Sequence, residues 1–173
     1  MRSLPLVCLA LLVPSLAASG SSGAEAAAHA VAKTILIVRH AEAATAPSAD
    51  DPPLAPDGQK RAAELARVVA DAHIQAVFAS PLRRSRQTAE AVTQRSGGSV
   101  TVVNDVPATV AALRAVPWGA SALVVGHSNT IPDLLGGLGA VPPAGKIGFD
   151  TIWVVTLTRE GGVTVVPLHY GAP

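Results

Sequence analysis

Between Lys33 and Leu168 the chain alternates short, unbroken apolar runs with stretches of helical period, and three of those runs stop at a cluster of polar and cationic residues. Thr34-Ile35-Leu36-Ile37-Val38 is β-branched and unbroken, the pattern of a strand buried on both faces. Asp57 to Ala72 carries Ala62, Leu65, Ala66 and Val69 on one helical face, and Ala76 to Ala79 reads as a second strand. Pro81 to Gln94 reads as a helix with Leu82, Ser85, Ala89 and Val92 as its inner stripe. A third strand over Val100–Val103, a short helix over Pro107–Ala115, a fourth strand over Ala122–Val125 and a helix from Ile131 to Leu138 follow. Ile152–Thr158 and Val163–Leu168, separated by Arg159-Glu160-Gly161-Gly162, read as a closing hairpin. Strands alternating with helices predict a three-layer α/β/α domain around a mostly parallel sheet, and the hairpin predicts one antiparallel edge.

The chain before Lys33 has a different character. Arg2 is followed by an apolar run from Leu4 to Leu16, and then by the small residues Ala17, Ala18, Ser19 and Gly20. This is the layout of a secretory signal peptide. The run is about 13 residues, short of the roughly 20 that span a bilayer, so no stable membrane insertion is expected. The reading is therefore a signal peptide over residues 1–19, a flexible lead-in over 20–32 and one domain over 33–173, exported to the periplasm or the extracellular space. Cys8, the only cysteine, sits inside the run and is preceded by Leu6 and Val7 rather than small residues, which argues against lipidation. Removal of the signal leaves no thiol and no disulfide.

The formal net charge is +1, which gives no general attraction to nucleic acid, so any affinity for anions must be local. The three polar clusters supply it. Arg39-His40 follows the first strand, Ser80 to Arg84 the second, and Gly126-His127-Ser128-Asn129 the fourth. Ligands of open α/β sheets bind outside the carboxyl ends of the strands, so motifs about 40 residues apart can meet there. Two imidazoles and several guanidiniums beside helix starts near Pro81 and Ile131 suit a phosphate group. Histidine in such company serves as nucleophile, base or phosphate ligand. On the helix after Pro81, Arg83 points about 150° from the apolar stripe, whereas Arg84 and Arg86 flank it, and periodicity does not choose between those two. His29, His73 and His169 have no motif partner. The histidines lack ligand spacing, and Asp50-Asp51 is followed by two prolines, so neither metal nor organic cofactor is implied.

Leu36-Ile37-Val38-Arg39-His40-Ala41-Glu42 resembles the Arg-His-Gly signature of the histidine phosphatase, or phosphoglycerate-mutase-like, superfamily. Asp51-Pro52-Pro53-Leu54, Gly58 and Arg61-Ala62 resemble the "DPPLTPxGxxRA" segment of its small bacterial members. The run from Phe78 to Ala89 is similar to "SPLxRxxQTA", and Val124 to Thr130 to "VGHSNT". The resemblance implies a phosphoglycerate-mutase-like fold and His40 as the nucleophile that becomes phosphohistidine. It implies Arg39, Arg84 and His127 as the phosphate pocket, with His127 also steadying charge on the transferring group. Its pocket arginine stands two residues after Leu82, at Arg84. Ser80 and Asn129 are expected at the pocket rim. The implied activity is hydrolysis of phosphomonoesters or phosphoramidates, from a phosphorylated small molecule or a phosphoprotein. A domain that only binds phosphate or a phospho-ligand on the same fold is the alternative.

The chain departs from the family's pattern at several points. Ala41 replaces the glycine after the histidine, which is expected to stiffen or shift the turn. Ala46 stands where larger members carry asparagine, and Ala55 where small members carry Thr or Ser before proline. Larger members take their acid from an inserted segment, and Gln87 to Ser121 is too short to hold one. That leaves Glu42, Asp51 and Asp105 as candidate proton donors in a cap-less domain.

Overall fold

The computed structural model describes residues 31–45 and 50–171. The signal-peptide and lead-in readings over residues 1–30, with Cys8 and His29, and the departure at Ala46 lie outside the described residues. The elements are β1 (Ala32–Arg39), α1 (Pro56–Val68), a 3-10 turn (Ala70–Ala72), β2 (Ile74–Ala79), α2 (Arg83–Ser96), β3 (Val100–Val102), α3 (Val106–Ala115), β4 (Ser121–Gly126), α4 (Ile131–Leu138), β5 (Thr151–Thr158) and β6 (Val163–His169).

They form one six-stranded sheet in the order β3-β2-β4-β1-β5-β6. β3, β2, β4 and β1 run parallel, β5 is antiparallel to β1, and β6 is antiparallel to β5. The expected mostly parallel sheet with an antiparallel edge is what forms. The unbroken apolar run in β1 has a simple cause. Successive side chains alternate faces, and both faces are covered. Ile35 and Ile37 pack with Leu113, Ile131, Leu134 and Leu138 on the α3/α4 side. Leu36 and Val38 pack with Leu65, Ala66, Ala89 and Val92 on the α1/α2 side.

Several boundaries differ from the sequence reading, and three of the shifts have a visible cause. β1 begins at Ala32, one residue inside the expected lead-in, because the Ala32 carbonyl accepts from Gly119 N–H at 2.7 Å. α1 stops at Val68, and the chain turns into β2 through the 3-10 segment and His73, whose φ of 47° is left-handed. α2 begins at Arg83 rather than Pro81, since Leu82 is extended (ψ 139°) and acts as the N-cap position.

Register decides where the site lies. Arg39 pairs with Gly126 across β1 and β4, and Ala79 pairs with Val125 across β2 and β4. All three polar clusters therefore leave the sheet at the same edge and the same height. His40 N–H extends the ladder to the Gly126 carbonyl at 3.0 Å.

Candidate active site

His40 leaves the end of β1 almost fully buried, at 7% exposure. Its Nδ1 lies 2.7 Å from the Ala41 carbonyl, which can only accept, so Nδ1 carries the proton. Arg84 Nε, which can only donate, lies 3.3 Å from His40 Nε2. Both contacts select the same tautomer, with a lone pair on Nε2 facing the arginine. Burial, and then the charges of His127, Arg84 and Arg39, pull the His40 pKa from 6.5 down to about 4, against the Ala41 hydrogen bond, which raises it. His40 is thus a neutral imidazole at pH 7, and its Nε2 is available as a nucleophile.

His127 sits opposite, with ring centroids 5.1 Å apart and planes tilted by 57°. The Nε2 of His127 is 2.7 Å from Ser80 Oγ and 3.4 Å from Ser85 Oγ. Its backbone N–H donates to Thr130 Oγ1 at 2.9 Å, which fastens the turn between β4 and α4. Burial and the charges of Arg84 and Arg39 lower its pKa as well. Arg39 donates through Nη1 to the Ile147 carbonyl at 2.9 Å, and its guanidinium lies 3.7 Å from the centre of the Phe149 ring. Its Nε–H is buried without an acceptor among the described residues.

One helix explains the second motif. Arg84, Gln87 and Thr88 share a face of α2 at spacings of three and four. Thr88 Oγ1 accepts the Ala41 N–H at 3.0 Å, and Gln87 Oε1 accepts the Leu54 N–H at 2.8 Å. The face that carries Arg84 to His40 therefore also grips the loop that follows His40. Arg86 and Arg83 are exposed, so the choice that periodicity left open falls to Arg84 by geometry.

The loop after His40 is pinned from the other side too. Ala43 bridges Leu54, and Glu42 Oε1 accepts from Arg61 Nε at 2.7 Å. Gly58 is where α1 meets this loop: a Cβ there would stand 2.1 Å from the Glu42 carbonyl oxygen. Ala41 causes none of the expected disturbance. It is fully buried beside Leu54 and Ala62, and its backbone is outside the left-handed region, so no glycine is needed.

The three candidate acids are each engaged. Glu42 is held by Arg61. Asp51 accepts the Arg83 N–H through both oxygens, at 2.9 and 3.1 Å, and lies 4.0 Å from Arg84 Nη1. It caps α2 from outside the helix, so the start of α2, expected to offer free N–H groups to phosphate, is occupied by this carboxylate. The start of α4 is likewise taken, with Thr130 and Ile131 N–H bonded to the His127 carbonyl. An anion at this edge would therefore be held by side chains. Asp105 is the N-cap of α3, accepting from Ala108 N–H at 2.7 Å. Asn129 is exposed, and Thr130 rather than Asn129 lines the adjoining cleft, with Ser80. Among the described residues, no three His, Cys, Asp or Glu side chains form a cluster able to hold a metal ion.

That cleft, of about 200 Å³, opens beside His127 and is walled by Pro81, Leu82, Val103, Val106 and Leu134. Sequence reasoning missed it, and missed Ile147 and Phe149 in the segment before β5, where no motif marks them. Thr88 and Gln87 were within reach: both stand in the quoted motif, at helical spacing from Arg84.

A family model for the histidine phosphatase superfamily (branch 1) matches residues 35–107. No curated protein sequence matches the chain. Among solved structures, a candidate phosphohistidine phosphatase SixA from Nakamurella multipartitia is 27% identical, with a TM-score of 0.63 over 82% of this chain and 98% of that one. The protein histidine phosphatase SixA complexed with tungstate is 28% identical, with a TM-score of 0.67 over 79% of this chain and 96% of that one. A phosphoglycerate mutase from Plasmodium falciparum, 18% identical with a TM-score of 0.59 over 83% of this chain and 95% of that one, shares the fold. With the motif residues converging at one sheet edge, the chain is similar to the histidine phosphatase superfamily (branch 1) over residues 35–107 and shares the fold of the SixA phosphatases.

Proposed function

We propose that this protein is an exported phosphatase that hydrolyses phosphomonoesters or phosphoramidates in two steps through phospho-His40. The observation that carries the reading is the single tautomer of His40, with Nδ1–H on the Ala41 carbonyl and the Nε2 lone pair facing Arg84, beside Arg39 and His127. In the first step Nε2 attacks phosphorus, an Nε2–P bond forms, and the P–O or P–N bond to the leaving group breaks. The Ala41 carbonyl steadies the positive charge that then develops on the ring, while Arg39, Arg84 and His127 hold the phosphoryl oxygens. In the second step water attacks phosphorus, the N–P bond breaks, orthophosphate leaves and His40 returns to its neutral form.

Phosphohistidine is a reasonable substrate class, since the two SixA relatives are described as acting on it and one holds tungstate, a tetrahedral oxyanion. Brief mixing with radiolabelled substrate, followed by an acid-free quench, should leave label on His40 that survives alkali and is lost in acid. His40→Ala with near-wild-type turnover would sink the proposal.

A domain that binds phosphate without turning it over is the second reading. It is favoured by the engagement of Glu42, Asp51 and Asp105 elsewhere, and absence of label with intact phosphate binding would select it. Export rests on Arg2 and the Leu4–Leu16 run. Mass spectrometry of secreted or periplasmic protein should find an N-terminus between Ala18 and Ala32. Met1 or Cys8 in the mature species would refute it.

A further inference from the structure

The cleft beside His127 is bounded by His127 and Ser80 but not by His40, Arg39 or Arg84. It adjoins the phosphate pocket and is separate from it. A phosphorylated substrate held by the cationic residues therefore has its remaining part within reach of this cleft.

The chemistry of the walls is one-sided. Pro81, Leu82, Val103, Val106 and Leu134 present carbon, and the strand residues Ala79, Val124 and Val125 form the floor. A sugar would find side-chain partners only at Ser80, Asn104, Asp105, Thr109, His127 and Thr130, and its hydroxyls facing the carbon walls would lose their hydration without replacement. An apolar ring or branched alkyl group gains from the same surface. The one carboxylate among the lining residues is Asp105, fixed in place as the N-cap of α3. A second negative charge on the substrate would meet that carboxylate.

We propose that this cleft is a subsite for an uncharged apolar group, ring or branched alkyl, carried by the phosphorylated substrate, and that Asp105 disfavours substrates bearing a further anion. The inference rests on the phosphate site proposed above, so its test must separate the two.

Phosphonates do this, because their C–P bond is not hydrolysed and binding is read whether or not the protein turns substrates over. In isothermal titration of the purified protein, benzylphosphonate should bind at least tenfold more tightly than methylphosphonate. Val106→Asp should abolish most of that difference while changing methylphosphonate binding less than twofold, which also reports that the variant is folded. Asp105→Asn retains a good N-cap. It should tighten 4-carboxybenzylphosphonate at least fivefold and leave benzylphosphonate unchanged. Equal binding of benzylphosphonate and methylphosphonate by the wild-type protein would overturn the subsite alone. A preference untouched by Val106→Asp would do the same, and an unimproved 4-carboxybenzylphosphonate would overturn the role of Asp105. Failure of both phosphonates and of orthophosphate to bind would overturn the phosphate site, and the subsite with it.

Discussion

Arg84 directs its Nε–H at Nε2 of His40 across 3.3 Å, from a helix that also grips the loop after the histidine through Gln87 and Thr88. An N–H can only donate, so this contact exists only while Nε2 is unprotonated. His40 and the cation that faces it are thus kept in a mutually dependent state.

The first prediction concerns that state. With a folded pKa near 4, below the unfolded value of about 6.5, His40 takes up its proton first in the unfolded chain. Stability therefore falls as pH drops from about 6.5 to about 4 and is unaffected by this group above pH 7. His127, shifted in the same direction, adds to the effect. Imidazole NMR titration should show Nε2 of His40 unprotonated at pH 5.5. Urea unfolding at pH 7 and pH 4.5 should show His40→Gln losing about 2 kcal/mol less stability than wild type over that interval. A midpoint near 6.5 in the NMR titration would remove the basis for a neutral nucleophile.

Leaving-group dependence is the second. Arg61 holds Glu42 through Oε1, Asp51 caps α2, and Asp105 caps α3, so each candidate acid is committed to a structural contact. A dedicated acid is worth about 10² to 10⁴ in rate for a poor leaving group. Aryl phosphates and phosphohistidine should therefore be turned over well, and alkyl phosphates slowly. Across a series of esters, log(kcat/KM) should fall steeply with leaving-group pKa in wild type and equally in Glu42→Gln, Asp51→Asn and Asp105→Asn. A shallow wild-type slope that steepens in one variant would identify that residue as the acid.

Gly58 provides the third. Replacing a helical glycine with alanine ordinarily stabilises, but here the new Cβ would meet the Glu42 carbonyl oxygen at 2.1 Å. α1 would have to withdraw from the loop that follows His40. Gly58→Ala should cost about 1–3 kcal/mol in chemical denaturation and lower kcat/KM, with both losses in the same variant. A gain in stability would show that the loop yields without cost.

A fourth lies three residues earlier. Ala55 is the N-cap of α1, extended at φ −67° and ψ 164°, with no side-chain acceptor, and Pro56 follows in the first turn. Ala55→Thr supplies the missing oxygen for an N–H of the first turn and should raise stability by about 1 kcal/mol, read as a shift in the denaturation midpoint. No change would mean that the hydroxyl cannot turn toward the helix.

Whatever depends on neighbours along the chain was legible in the sequence. The buried strand Ile35–Val38, the helix from Ile131 to Leu138, the turn between β5 and β6 and the bare cap at Ala55 are all local patterns, carried by residue spacing and backbone preference. The three polar clusters were legible for the same reason, since each directly follows its strand. The tertiary structure alone decided what depends on residues distant in the chain. The β1–β4 register sets His40 beside His127, and the packing of α2 selects Arg84 over Arg86 and turns Asp51 into a helix cap. Ile147 and Phe149 reach Arg39 from a segment without periodicity, and the cleft beside His127 exists only where α2, α3, α4 and the sheet meet. Periodicity records which face of an element is buried. It holds no record of which other element covers that face, and the chemistry of this site depends on that pairing.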